Sequence, residues 1–248
     1  YPEVVAGSVA VVASSRLRGA GFYFRRLRRT EEGCTNWLFC GCPEHFCARI
    51  ERMVGYRFLE LDESVTIREA LVSTDPDRPG SFDITDHFDT RNQFNGVDLG
   101  ILYRRTRGCW TLDLLTKLAI GNTRQTVTIS GQTITNDPQA DPAVETYGQG
   151  ILAGSSNIGV YRRDEFSVVP EFNLTLGYQL TDRLRATLGY TGIYWSNVVR
   201  PGDHISLDVN PLLFPPQVDP TGAQRPAFAF DNTDYWVQGI NAGLEYRW

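Results

Sequence analysis

Five cysteines and three histidines are the residues of this 248-residue chain best suited to covalent or metal chemistry. Cys34, Cys40, Cys42 and Cys47 crowd into one stretch with Pro43 and His45, and Cys109 stands apart. In an oxidising compartment such a cluster reads as disulfides, and four cysteines admit three connectivities that spacing does not decide. Zinc held by several of Cys34, Cys40, Cys42, His45 and Cys47 is the alternative, although the paired C-x₂₋₄-C arms of most structural zinc sites are missing. No C-x-x-C-H occurs to attach haem. Arg26, Arg28 and Arg29 lie beside the cluster and would make an unpaired thiol more reactive by lowering its pKa.

A second set could activate water: Asp83, Asp86 and His87 sit together, and Asp203 adjoins His204. The plainer reading is solvated residues in polar loops. No G-x-S-x-G, phosphate loop or H-E-x-x-H is present. The expectation is a non-enzyme without a cofactor, with an Asp/His hydrolase as the remote alternative.

The charges say more. A net charge of -5 argues against nucleic acid, which wants a basic domain. Of 24 cations only Lys117 is lysine, and arginine suits fixed ion-pair networks. No run of 18 apolar residues exists to form a transmembrane helix, so a spanning structure has to be a barrel.

The elements that would position these residues alternate with period two. Trp236, Gln238, Ile240, Ala242, Leu244, Tyr246 and Trp248 interleave with a polar set, ending on an aromatic. From Phe166, Val168, Pro170, Phe172, Leu174, Leu176, Tyr178 and Leu180 do the same, then Thr181-Asp182-Arg183 turns the chain into Leu184, Ala186, Leu188, Tyr190 and Tyr194. A second hairpin runs from Val97–Tyr103 through Arg107-Gly108 to Trp110–Ile120, and earlier strands hold Ala20, Phe22 and Phe24, then Phe46–Phe58. The total is about seven strands. Short turns at one end and polar stretches at 62–90, 124–163 and 199–233 at the other match an outer-membrane barrel with extracellular loops. The 28–45 stretch then forms a Cys-bearing periplasmic connection that disulfides would cap, reaching Cys109.

The polar parity carries Arg49, Arg57, Lys117, Arg185 and Arg247 against Glu51, Asp98, Asp113, Glu171 and Glu245. Balanced signs predict a salt-bridged interior, filled or very narrow rather than an open ion-selective pore. Trp110, Tyr178, Tyr190, Tyr194, Tyr246 and Trp248 are the candidate interface girdles. Arg52 falls on the apolar parity. A bulge, a position near an interface, or a neighbouring subunit would each explain it.

Several passages resemble one family: Phe88–Phe94 (FDTRNQF), Gly121–Thr123, Asn157–Gly159, Val168–Glu171, Leu176–Asp182 and Tyr194–Asp203 (YWSNVVRPGD). They are similar to the planctomycetal outer-membrane β-barrel family, over a span from about Ser14 to the end. The resemblance implies a bacterial outer-membrane location and a barrel of about ten strands, about three of them upstream of Tyr1. It implies no catalytic residue, because the family has no established activity. The whole chain, 1–248, therefore reads as one all-β, antiparallel up-and-down transmembrane barrel domain. Its expected role is structural or surface-interacting, with a narrow porin-like channel as the alternative. Expected partners are outer-membrane lipid, the barrel-assembly machinery at the C-terminal strand, a neighbouring subunit near Arg52 and a periplasmic partner at the Cys-rich connection.

Overall fold

The computed structural model describes residues 5–37, 40–215 and 221–246, with side chains in 33–46 outside the description. Seven long strands run up and down in one antiparallel sheet: β1 (Val5–Trp37), β2 (Cys40–Ser73), β3 (Ser81–Arg107), β4 (Trp110–Asn136), β6 (Gly159–Gln179), β7 (Leu184–Val198) and β8 (Thr233–Tyr246). A short β5 (Val144–Tyr147) folds back on the end of β4. Strict alternation of side chains to the two faces, read from the polar and apolar sets, makes each strand two-faced.

The sheet is a half-barrel, since inner-face side chains meet across strands that are not neighbours. Arg57 on β2 reaches Glu171 on β6, and Tyr23 on β1 reaches Asp98 on β3. β1 and β8 are the two edges, and no pairing joins them among the described residues.

Short turns lie at one end. Gly108 takes φ 53° between β3 and β4, a left-handed conformation that disfavours a side chain. In the β6–β7 turn Thr181 Oγ1 accepts from the Arg183 and Leu184 amides at 3.3 and 3.0 Å.

The strands are longer than the alternation alone suggested. β3 has 27 residues, which at roughly 3.3 Å each is about 90 Å, against a bilayer core of about 30 Å. The stretch read as a loop at 62–90 is therefore mostly paired strand, with β2 running to Ser73 and β3 resuming at Ser81. Likewise β4 continues to Asn136 before the chain returns. The reason is physical: beyond Phe58 the apolar residues change parity, from the outward Tyr56 and Phe58 to the inward Leu61, Val65 and Ile67, so the outward period that marks the belt stops there. Between Val198 and Thr233 the described residues form a connection that holds two short 3₁₀ turns, Pro201–His204 and Pro211–Leu213.

The 28–45 connection differs too. Its backbone continues the β1–β2 pairing, with Glu32 opposite Cys47 and Cys34 opposite His45. β3 joins β2 only from Phe46, so this is a two-stranded ribbon projecting past the other turns and not a twenty-residue cap.

Candidate functional site

The inner face has three levels. Nearest the short turns are ion pairs: Arg49 Nε to Glu51 at 2.7 Å, Arg185 to Glu245 at 3.3 Å, and Arg104 donating twice to Asp113 at 2.6 and 2.7 Å. Arg104 is a partner the sequence reading missed. In the midst of the sheet Arg57 lies between Asp98, at 2.8 Å, and Glu171, while Lys117 Nζ reaches Glu171 at 3.0 Å. Tyr23 donates to Asp98 at 2.9 Å, and its ring lies under the Lys117 ammonium. Four of the expected lumen charges thus form one buried cluster. Arg247 and Trp248 lie outside the described residues.

Above this cluster the interior is apolar. Trp195, 1% exposed, packs with Leu59, Leu61, Phe94, Ala119, Val169 and Val198. Its indole N–H donates to Thr123 at 3.0 Å, and its ring meets Phe94 edge-on at 6.1 Å. Gly96 makes room for Phe94: a Cβ there would stand 2.5 Å from the ring's Cζ.

The third level is where the long connections come down onto the concave face. Arg200 grips buried Glu63 through two bonds of 2.9 Å, and Asn92 both donates to and accepts from the Val199 backbone at 2.8 Å. Asp86 accepts from the Leu152 and Ala153 amides at 3.0 and 2.6 Å. Burial nonetheless pushes its carboxyl above the usual range. Phe88, Val127 and Ile129 pack there against Ala153 and Val199, and Phe228 stacks on Tyr161 at 3.5 Å.

The Asp/His candidates are kept apart. Asp86 is on the inner face, whereas His87, one residue on, turns outward to Thr66 and Asp89, each at 2.7 Å. His204 lies against Phe228 with Nδ1 3.2 Å from the Ala229 carbonyl. Burial pulls its pKa below the ordinary imidazole value.

Cys47 and Cys109, two of the five disulfide candidates, are exposed free thiols. Cys47 is held in β2 opposite Thr106 and Cys109 sits in the β3–β4 turn, so strand pairing fixes each where it is. The side chains of Cys34, Cys40, Cys42 and His45 lie outside the described residues, which leaves the zinc set without described geometry.

The outer face carries the opposite set. Val54, Leu99, Leu118, Phe172, Leu174, Leu188 and Ile240 are all exposed, Ile240 by 79%. Rings bracket this belt, with Trp110 against Tyr178 at 4.7 Å and Tyr194 against Trp236 at 6.1 Å. Tyr190 and Tyr246 are exposed on the same face. Trp110 to Ile120 on β4 is the length a tilted transmembrane strand needs, about 9–11 residues. A soluble protein does not leave such a surface bare.

That two-faced sheet fits the one comparison that matched. The family described as Putative beta barrel porin-7 (BBP7) covers residues 1–248. The chain belongs to this family. No curated protein and no solved structure matches the chain. BBP7 membership accounts for the outward apolar belt and the inward charges together, since a barrel in a bilayer needs both.

Arg52 is outward and exposed on β2, opposite Arg26 and Ile101. The β2–β3 register runs unbroken past it, so the bulge explanation does not hold; the only shift nearby is on β1, between Leu27 and Arg29. Moving across the sheet, outward arginines follow at Arg26, Arg52 and Arg105, and Arg105 is four residue pairs nearer the turns than Arg52.

Proposed function

We propose that this BBP7 chain is a non-enzymatic outer-membrane barrel whose interior is filled and whose outer surface and extracellular connections do its work. The observation that carries the reading is the Trp195 cluster with the Arg200–Glu63 and Asn92–Val199 anchors above it. Together they occupy the concave face where a solute would pass. The separation of Asp86, His87 and His204 supports a role without catalysis.

In a bilayer the β1 and β8 edges each need a backbone partner. We assign that closure to strands beyond the described sheet. The oblique line of Arg26, Arg52 and Arg105 follows the tilt of barrel strands and marks the periplasmic head-group level, which explains Arg52 without a lipid-buried cation. The free thiols Cys47 and Cys109 at that end suit a periplasmic contact.

A narrow diffusion channel is the second reading, favoured by the family's description as a porin and by the charged level beneath Trp195. Planar-bilayer recording separates the two. The filled barrel gives no steps above the lipid baseline, and W195A opens small ones. Stable steps from the wild-type chain would establish the channel. Fractionation tests the location: recovery in the soluble fraction without detergent would remove the membrane reading.

A further inference from the structure

Beyond the apolar belt, on the loop side, the outward face carries arginines that the interior does not use. Arg16 on β1 stands opposite Asp62, Asp62 opposite Arg91, Arg91 opposite Thr126 and Thr126 opposite Arg162, one row across five strands. These positions share the parity of the exposed Phe22, Val54, Leu99, Leu118 and Phe166. The row is four residue pairs, or about 13 Å along the strand, above the row of Ala20, Phe58, Asn95, Asn122 and Phe166 at which the belt ends. By the strand tilt, the β1–β2 end of the row lies nearest head-group height and the β6 end stands farther out.

The same residues line an open groove of about 760 Å³. Arg91 and Arg18 each hold Asp62 at 2.6 Å, which fixes the middle of the row. Asp62 stays below the usual carboxylate range: burial alone would raise it, and the hydrogen bonds from Arg91 and Arg18 outweigh that. Arg16 and Arg162 are exposed and have no ion pair or hydrogen bond among the described residues. The outward lining sets Arg16, Arg91, Arg124 and Arg162 against Asp62 and Asp89, a positive excess on a chain of net charge -5.

We propose that this groove binds the phosphate groups of an anionic lipid head group in the loop-side leaflet. Arg16 and Arg162 supply planar donor forks that match phosphate oxygens, and the adjoining belt takes the acyl chains. The inference rests on the membrane placement of the belt under the proposed function.

The full chain in neutral detergent is titrated with bis-phosphorylated lipid A, with the same lipid stripped of phosphate, and with inorganic pyrophosphate, read by native mass spectrometry. The phosphorylated lipid binds, the stripped lipid does not, and R16Q/R162Q weakens binding about tenfold. R68Q, exposed and outward farther along β2, leaves it unchanged. Equal binding of the stripped lipid, displacement by pyrophosphate at equal concentration, or undiminished binding by R16Q/R162Q would overturn the proposal. So would a lipid-free dimer that R16Q/R162Q dissociates, which would assign the groove to a second copy. Recovery of the chain in the soluble fraction would instead remove the belt's placement, a result the titration does not produce.

Discussion

At the residue scale, Trp195 and the buried Arg57 cluster hold the interior closed. Trp195 fills the centre and bonds Thr123, so Trp195→Ala removes both packing and a satisfied donor. The expected loss is about 3–5 kcal/mol, measured by urea titration in detergent. Arg57 is 4% exposed and its carboxylate partners come from two other strands. Arg57→Gln leaves Asp98 and Glu171 facing each other with only Lys117 and Tyr23 in reply, and breaking such a buried pair costs roughly 3–5 kcal/mol. His204 gives a pH effect. Burial lowers its pKa, against the Ala229 carbonyl, Asp203 and Asp231 and with Arg163, so the folded state favours the neutral ring. Its contribution is present above the ordinary imidazole range and lost as pH falls through the depressed value. Acid should therefore speed proteolysis within 199–232 in the wild type but not in His204→Phe; equal acid sensitivity in both would contradict it.

At the element scale, the long connection between β7 and β8 is tied at its start to the sheet by Arg200 on Glu63 and by Asn92 on the Val199 backbone, and farther along by Phe228 stacked on Tyr161. Arg200→Gln with Asn92→Ala should increase cleavage within 205–232 at least several-fold while the sheet's thermal transition stays whole. A joint loss of both would mean that connection and sheet fold as one unit. The strands through the belt were legible in the sequence because Trp110–Ile120 or Leu184–Tyr194 alternates cleanly. The continuation of β2 and β3 past Glu60 and Asn95 was not, since the apolar residues change parity there: outward Asp62, Ser64, Thr66 and Arg91, Asp89, His87 look like a loop, while Leu61, Ile84 and Phe88 face inward. The inner charges Arg57, Asp98, Lys117 and Glu171 were legible as a set by parity. Their pairing was not, because Arg57 meets Glu171 only once the sheet curves, and the grip of Arg200 on Glu63 spans residues far apart in the chain.

At the scale of the whole molecule, one physical contrast organises everything: apolar side chains outward through one belt, and charged, aromatic and loop groups inward. Water would reverse that order, whereas a bilayer demands it. The BBP7 family assignment and the half-barrel agree on this contrast, and the tilt of the arginine line at one boundary and the arginine groove at the other set the belt between two polar levels. The direct test is depth-dependent fluorescence quenching by lipids brominated along the acyl chain, using variants that keep only Trp110, only Trp236 or only Trp195. Trp110 and Trp236 should be strongly quenched, most by bromines near the head groups, and Trp195 should be nearly unaffected. Quenching of Trp195 as strong as that of the outer pair, or none for the outer pair, would contradict a lipid-facing belt around a filled interior.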